Sequence, residues 1–343
     1  MEDKNMEADA RRKVLIVGAG GFLGSFLVEE ALSRGHDVWA GIRQSTSREY
    51  LTDHRIHFAV FDFSNPITLE DSLKANAPEN GWDYIVYNLG LTKALRFSDF
   101  NRVNHDMLKT FIHALESTGL SPDRFLYMSS LSVMGTGKKG SYEPFREDMI
   151  PMPDTRYGAS KLKAEMLLAS SGLPYIIFRP TGVYGPRDND YYLMYKSIAR
   201  GFDVSVGFRR QALTFIYAGD LAAAVFSALE KAPVKSTYII SENTSYTQKE
   251  FRRFVLDALG KKFAIPVIFP LWGLKIVSTA AELIGVIRGK PSTLNRDKYH
   301  IMCQRNWNAD TSHATRDFGF SPKICLREGV KKSVEWNKNN HRL

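Results

Sequence analysis

The sequence is poor in the residues that build disulfide frameworks and metal centres. It contains two cysteines, Cys303 and Cys325, and eight histidines dispersed along the chain. Two cysteines cannot supply a disulfide framework, and the histidines do not form a ligand cluster with them. We therefore predict no metal site, and we look for chemistry in other residue types.

Long apolar runs are also missing. A membrane-spanning helix needs about 18 consecutive apolar residues, and the chain has no such run. Residues 1–12 are charged and lack an apolar core, so they predict a disordered leader rather than a secretory signal. We expect a cytoplasmic protein without a transmembrane segment.

The chain has a net positive charge, but its basic residues are not concentrated in one segment. The chain has 46 Lys and Arg residues against 37 Asp and Glu, a formal charge of +9. The basic residues are scattered and are not interleaved with aromatics, so we expect no nucleic-acid partner. A basic surface of this kind is suited to an anionic cofactor. A length of 343 residues fits a large α/β domain that carries a smaller second one.

The first regular pattern is a strand, a glycine turn and a helix. Lys13 to Val17 form a run typical of a strand buried on both faces of a parallel sheet. A glycine turn and a helical pattern follow at once, and this context favours a dinucleotide site, because small residues let the backbone approach a pyrophosphate at the helix N-terminus. The predicted contacts are Gly18, Gly21, Phe22, Leu23 and Gly24.

The end of the second strand indicates which dinucleotide is bound. The strand covers Asp37 to Ile42 and ends at Arg43, and no acidic residue occurs between Val38 and Arg48. A carboxylate here would bind a ribose hydroxyl, whereas arginine accommodates a 2′-phosphate. We predict NADP over NAD. NAD remains open, because Arg43 could instead stack on the adenine.

Further strands are predicted at 56–61, 83–87, 124–128 and 174–178, with a short strand at 214–217 and a last one at 237–240. The order predicts an α/β Rossmann fold, a doubly wound parallel sheet with a small, mostly helical C-terminal substrate domain. Ligands of such sheets bind at the carboxyl ends of the strands. The remaining cofactor contacts predicted there are Asp62, Phe63, Leu89, Gly90, Pro180 and Val183.

A tyrosine and a lysine four positions apart open a helical segment. Tyr157 and Lys161 would share one helix face, and an ammonium beside a phenol lowers the pKa of the phenol. Tyr157 would then exchange protons near neutral pH. The alternative is an ordinary surface helix with an exposed Tyr and Lys.

Together these motifs resemble the extended short-chain dehydrogenase/reductase family, from about Lys13 to Trp336. The resemblance implies that Tyr157 transfers a proton, that Lys161 holds the nicotinamide ribose, and that Ser130 hydrogen-bonds the substrate oxygen, with Ser129 as the fallback. It also implies that Asn104 fixes local structure and that the protein forms a homodimer. The motifs that carry the resemblance are Gly18-x-x-Gly21-x-x-Gly24, Asp62-Phe63, Asn104, Ser129-Ser130, Tyr157-x-x-x-Lys161, Arg179-Pro180-x-x-Val183-Tyr184-Gly185-Pro186-Arg187 and Ile216-Tyr217-x-Gly219-Asp220-Leu221-Ala222.

Within the family, the pattern looks like dihydroflavonol 4-reductase-like and 3β-hydroxysteroid dehydrogenase-like members. Many nucleotide-sugar epimerases and dehydratases carry Tyr-Gly where this chain has Met134-Gly135, and an acidic residue where it has Arg43. We therefore expect an enzyme, an oxidoreductase that interconverts a ketone and a secondary alcohol on a moderately apolar small molecule. A nucleotide-sugar epimerase or dehydratase with retained NAD is the alternative, followed by a non-catalytic dinucleotide sensor.

The domain boundaries follow from these motifs. Residues 13–186 and 212–241 are predicted to bind the dinucleotide, and residues 187–211 and 242–343 to bind substrate or cover it. An uncharged stretch, Phe263 to Leu274, lies in the second portion. We expect it to pack on its own core as part of a lid helix. The alternatives are that it covers the pocket or touches a membrane surface.

Overall fold

The computed structural model describes residues 11–94, 96–137, 140–288 and 296–343. The predicted leader, residues 1–12, lies outside the described residues except for its last two. The strands are β1 (Lys13–Val17), β2 (Asp37–Ile42), β3 (His57–Val60), β4 (Tyr84–Tyr87), β5 (Arg124–Met128), β6 (Tyr175–Pro180), β7 (Gly182–Tyr184), β8 (Phe202–Val206), β9 (Phe215–Tyr217), β10 (Ser236–Ile240) and β11 (Ile265–Phe269).

The helices form the outer layers of the fold. They are α1 (Phe22–Ser33), α2 (Pro66–Asn76), α3 (Phe97–Asn101), α4 (Met107–Thr118), α5 (Arg156–Ala169), α6 (Asp190–Ala199), α7 (Ala218–Lys231), α8 (Gln248–Leu259), α9 (Leu271–Arg288), α10 (Arg296–Cys303), α11 (Ser312–Phe318) and α12 (Leu326–Asn339). A π-helical turn (Arg102–Asp106) joins α3 to α4, and a 3₁₀ turn (Leu131–Met134) follows β5.

Seven strands form one parallel sheet in the order β10-β6-β5-β4-β1-β2-β3. Val14 and Ile16 pack in a core with α1 and α7, whereas Leu15 and Val17 pack in the core on the opposite face with α2, α4 and α5. Alternate residues of a strand point to opposite faces, so a sheet covered by helices on both sides needs apolar residues throughout. The prediction of a doubly wound Rossmann sheet is confirmed.

The strand order reverses between β1 and β4, because the chain proceeds outward to β3 and then returns to the other side of β1. This is the switch point, where loops from the two halves of the sheet separate and leave a crevice. The turn after β1 and the loop after β4 lie at this crevice. The fold therefore brings their glycines together.

The described residues also contain two short parallel sheets, β7 with β9 and β8 with β11. The prediction that residues 237–240 form the last strand is wrong, because β11 follows it. Pro266 concealed this strand, since proline cannot donate a ladder hydrogen bond. A two-stranded ribbon tolerates this proline, because each strand has a free edge where no ladder hydrogen bond is needed.

The apolar stretch from Phe263 to Leu274 mostly faces outward. Ala264 and Leu274 are buried, but Phe263, Phe269 and Trp272 are exposed. The expectation that this stretch packs on its own core is therefore wrong for most of its residues. Within the described ranges, no helix combines the length and the apolarity needed to cross a membrane.

Candidate active site

The turn between β1 and α1 is built from glycines that have no room for a side chain. Gly18 has a φ of +85°, and a Cβ there would lie 3.0 Å from the backbone of Leu89. A Cβ on Gly24 would lie 2.2 Å from the Gly18 carbonyl oxygen. Gly21, which has no side chain, is the N-cap of α1, so the first N–H groups of the helix are available to an anion.

The loop after β2 folds against this turn. The Thr46 hydroxyl accepts the Arg43 backbone N–H at 3.1 Å, and the Thr46 N–H donates to the Arg43 carbonyl oxygen at 2.9 Å. A Cβ on Gly20 would lie 2.2 Å from the Thr46 side chain. The exposed Arg43 side chain thus stands at the edge of the glycine turn.

Ser130 and Tyr157 meet at the end of β5. Ser130 is the N-cap of the 3₁₀ turn, and Thr155 caps α5 by accepting the Gly158 N–H at 3.0 Å. The Ser130 hydroxyl donates to the Ser132 hydroxyl at 3.2 Å, and both Ser130 and Tyr157 line the same cavity. Burial raises the pKa of Tyr157 to about 12, and Ser130 acts in the opposite direction.

Lys161 lies one turn further along α5 and is buried. Its Nζ donates to the Met128 carbonyl oxygen at 2.7 Å and lies 4.7 Å from the centre of the Tyr127 ring. Burial lowers the pKa of Lys161 to about 7, and the charge of Glu165 opposes this shift. The expectation that Lys161 lowers the pKa of Tyr157 is wrong here, because desolvation of the phenol dominates.

The two adjacent serines have different partners. The Ser129 hydroxyl donates to Glu165, which forms a buried ion pair with Arg179 at 2.6 Å. The Ser130 hydroxyl is bonded locally, to Ser132, and it acts to lower the pKa of Tyr157. The geometry therefore favours Ser130 over Ser129 as the residue that faces a substrate oxygen.

Asn104 supports this site from the π-helical turn. Its Nδ2 donates to the Ser160 hydroxyl at 2.9 Å and to the Leu91 carbonyl oxygen at 3.1 Å, and its Oδ1 accepts the Leu91 N–H at 2.7 Å. These bonds fix the chain beside Gly90, where a Cβ would lie 3.1 Å from the Lys161 Nζ. Asn104 is a structural support, as the resemblance implied.

All these features open into one cavity of about 920 Å³. Gly24 and Asp62 lie beside it: Gly24 packs behind the turn, and Asp62 accepts the Ser64 N–H at 2.8 Å. The predicted residues that line the cavity are Gly18, Gly21, Phe22, Leu23, Arg43, Phe63, Leu89, Gly90, Ser130, Tyr157, Lys161, Pro180 and Val183.

A glycine turn without Cβ atoms, a helix N-terminus and an exposed arginine together fit a dinucleotide with a pyrophosphate at its centre. The turn lies at one end of the cavity lining, and Tyr157 and Lys161 lie further along the same crevice. These residues therefore fit the nicotinamide dinucleotide that the motifs predict.

Most of the rest of the cavity wall comes from residues within 187–211 and 242–343, the portion predicted to bind or cover substrate, although the sequence did not single out the individual lining residues. Asp297 on α10 lines it and accepts the Tyr157 backbone N–H at 3.1 Å. Lys93 forms an ion pair with Asp190 at the start of α6. The apolar lining residues are Met194, Val204, Val206, Leu213, Phe251, Ile301, Met302 and Trp307.

Comparison with known proteins gives relatives along almost the whole chain. The ceramide reductase of Caulobacter vibrioides is 26% identical over 333 residues, covering 96% of each chain. The 2-alkyl-3-oxoalkanoate reductase of Stenotrophomonas maltophilia is 25% identical over 338 residues, covering 93% of this chain and 98% of the relative.

A solved structure matches the fold at similar coverage. The UDP-glucose 4-epimerase of Thermotoga maritima, crystallised with UDP-glucose, superimposes with a TM-score of 0.75 at 20% identity over 96% of this chain and 99% of the epimerase. The model of the NAD dependent epimerase/dehydratase family matches residues 14–241, which is most of the chain. The chain belongs to this family of nicotinamide-dinucleotide enzymes, the extended short-chain dehydrogenase/reductase type that its motifs predicted.

Proposed function

We propose that this protein is an NADPH-preferring reductase that interconverts a ketone and a secondary alcohol on a largely apolar small molecule. This proposal rests on the residues that line the cavity beyond Tyr157. Among the described lining residues the basic ones are Arg43, Lys93 and Lys161. Arg43 lies at the glycine turn, Lys161 is buried, and Lys93 is paired with Asp190. A diphosphate-bearing substrate would need cationic partners here, whereas an apolar molecule does not.

NADPH supplies a hydride when bound. The glycine turn and the start of α1 would hold its pyrophosphate, Arg43 would pair with its 2′-phosphate, and Lys161 would hold the nicotinamide ribose. Ser130 donates a hydrogen bond to the carbonyl oxygen of the substrate, and Tyr157 gives that oxygen its proton. The raised pKa of Tyr157 keeps the phenol protonated at neutral pH, which is the state required for reduction.

The substrate would lie against the lining residues within 188–211, 248–251 and 297–307, together with Leu213 and Phe215. Met194, Phe251 and Met302 give this side of the cavity an apolar wall. The similarity to a ceramide reductase and to a 2-alkyl-3-oxoalkanoate reductase supports this assignment.

Replacement of Tyr157 by phenylalanine tests the proposal. We expect Tyr157→Phe to reduce turnover of a ketone by about 10²- to 10⁴-fold while NADPH still binds, because general acid catalysis contributes about that much. Absorbance at the nicotinamide band measures turnover, and fluorescence titration measures cofactor affinity. Tyr192→Phe is the control, since its hydroxyl donates to the Arg342 carbonyl oxygen, away from the cavity. Full activity of Tyr157→Phe would contradict the mechanism.

The second candidate is a nucleotide-sugar epimerase or dehydratase. The structural likeness to a UDP-glucose 4-epimerase is the observation that favours this alternative. It predicts purified protein that retains NAD and converts a UDP-sugar without net oxidation of added NADPH. That outcome, together with no turnover of apolar ketones, would replace the reductase assignment.

A further inference from the structure

An apolar surface covers the side of the molecule formed by β8, β11 and the start of α9. We call it the ribbon face and define it by Phe202, Phe208, Phe263, Ile265, Trp272 and Ile276. Four of these side chains are mostly exposed: Phe208 by 79%, Phe263 by 75%, Trp272 by 71% and Ile276 by 62%. Exposure of so many large apolar side chains in one region marks an interaction surface.

The elements of the ribbon face are held together by direct contacts. The Ile265 N–H donates to the Gly201 carbonyl oxygen at 2.8 Å, and the Gly207 N–H donates to the Phe269 carbonyl oxygen at 2.9 Å. A Cβ on Gly207 would lie 3.4 Å from the Leu271 side chain. Both ends of the ribbon are thus paired, and α9 begins beside its carboxyl end.

Helix α9 turns an apolar stripe toward solvent. Trp272, Ile276 and Leu283 recur at helical spacing and are exposed, while Leu274 and Ser278 on another face are buried. A surface helix in a soluble protein normally buries its apolar stripe. The orientation of α9 therefore extends the ribbon face instead of covering it.

Basic side chains flank this surface at both ends. Because β8 and β11 run parallel, exposed Arg200, Lys261 and Lys262 lie at the amino end of the ribbon, and exposed Arg209 and Arg210 follow its carboxyl end. The acidic residues of β8 and α9 form ion pairs with arginines of other elements. Asp203 is 3.0 Å from Arg252, and Glu282 is 3.4 Å from Arg156.

We propose that the ribbon face docks on the surface of an anionic lipid bilayer. Phenylalanine, tryptophan and aliphatic side chains would enter the region between headgroups and acyl chains, while lysine and arginine contact the anionic headgroups. A second copy bound through the same face would bring two basic rims together. This inference goes beyond the proposed reaction and does not depend on it.

The docked surface would lie next to the candidate site. Val204 on β8 lines the cavity, and its neighbour Phe202 belongs to the ribbon face. Helix α10, which supplies Ile301 and Met302 to the cavity wall, packs against α9. Residues two apart on a strand point to the same side, so Phe202 and Val204 share one side of the ribbon, and a bilayer bound here would border the apolar wall of the cavity.

Co-sedimentation of the full chain with vesicles tests docking. We expect binding to vesicles of phosphatidylcholine mixed with phosphatidylglycerol and about tenfold weaker binding to phosphatidylcholine alone. Trp272→Glu combined with Ile276→Glu should reduce binding to both vesicles by at least about tenfold. Lys261→Glu combined with Lys262→Glu should remove the preference for anionic vesicles.

Matched variants on other surfaces serve as controls. Ile67→Glu changes an exposed isoleucine on α2, and Lys331→Glu with Lys332→Glu changes an exposed lysine pair on α12. Both should bind vesicles as the wild type does.

All variants are also assayed on a water-soluble ketone, so loss of docking is distinguished from failure of the proposed reaction. Absence of vesicle binding, or equal binding by the ribbon-face and control variants, would overturn the proposal. Conversion of a dimer to a monomer by Trp272→Glu with Ile276→Glu would assign the face to a second copy.

Discussion

Arg43 and Arg48 flank the same loop but have different surroundings. Arg43 stands beside the glycine turn and lines the cavity. The Arg48 guanidinium lies 4.1 Å from the centre of the Phe58 ring, where it is held by a cation–π contact. Of these two arginines, Arg43 is the one that lines the cavity, so we expect it to be the one that distinguishes a 2′-phosphate from a 2′-hydroxyl.

We expect Arg43→Ala to weaken NADPH binding by about 10- to 100-fold, because a hydrogen bond to a charged group contributes about 1.5–3 kcal/mol. NADH affinity should change by less than about twofold. Isothermal titration calorimetry with both cofactors measures the difference, and Arg48→Ala is the matched control. Equal losses for NADPH and NADH would show that Arg43 stacks on the adenine instead.

Burial of Lys161 makes stability depend on pH. The pKa of Lys161 is lowered to about 7 in the folded protein, whereas an unfolded chain keeps lysine protonated to about pH 10.4. Between these values the unfolded state binds more protons, so the free energy of unfolding rises with pH. The cost of burying the charge is fully present below pH 7 and is lost as the pH rises toward 10.

Lys161→Met removes this cost. We expect the variant to be stabilised relative to wild type more strongly at pH 7 than at pH 9, by about 2 kcal/mol, since one pKa unit corresponds to about 1.36 kcal/mol. Urea denaturation at the two pH values measures it. Lys163→Met, which changes an exposed lysine on the same helix, should show no pH-dependent difference. Parallel pH profiles for wild type and Lys161→Met would contradict the prediction.

The cavity-lining positions of the glycine turn and of Tyr157 and Lys161 could be predicted from the sequence because they belong to short local motifs. Gly18, Gly21 and the Tyr157–Lys161 pair have fixed spacings that report backbone geometry. The substrate wall could not be predicted in this way. Phe251 and Met302 are far apart in sequence, and tertiary packing alone brings them to one cavity. The raised pKa of Tyr157 also escaped prediction, because desolvation depends on the complete surroundings of the phenol.

At the scale of elements, the contact between α1 and the preceding turn depends on Gly24. An added Cβ would lie 2.2 Å from the Gly18 carbonyl oxygen and 2.6 Å from that of Ala19. These atoms belong to the backbone and cannot rotate away. A side chain here would therefore displace the start of α1 from the turn.

We expect Gly24→Ala to lower the free energy of unfolding by about 1–3 kcal/mol, as overpacking does. NADPH affinity should fall as well, because the displaced helix end no longer meets the pyrophosphate. Gly172→Ala is the control, since its Cβ would meet no atom within 4 Å among the described residues. Thermal denaturation with and without NADPH measures both effects. Unchanged stability and affinity in Gly24→Ala would contradict the close packing.

The bounds of the elements were easier to predict than their continuity. The ends of β1, β2 and β5 agree with the sequence pattern to the residue. The segment from Phe97 to Thr118 has a helical sequence pattern throughout, but it contains a π-helical turn at Arg102–Asp106 instead of continuous α-helix. Apolar periodicity does not report a single inserted residue, because the pattern on either side remains helical.

At the scale of the whole molecule, the resemblance implies a homodimer through α4 and α5. Met166 on α5 is 66% exposed and would be buried in such an interface. We expect sedimentation equilibrium to give a dimer and Met166→Glu to shift it toward monomer. Ile150→Glu, which changes an exposed isoleucine outside both helices, is the control. A monomeric wild type would contradict the arrangement.

The π-helical turn that carries Asn104 has a consequence for how this chain tolerates changes in length. A π turn accommodates one residue more than the α-helix around it. Deletion of Val103 would convert the turn to regular α-helix, and the segments on either side would keep their register because the extra residue is confined to the π turn. Asn104, which lies in the turn, would be displaced from Ser160 and Leu91, to which it is bonded. The support beneath Tyr157 and Lys161 is thus tied to the number of residues in this helix, so one deletion should damage it more than most substitutions.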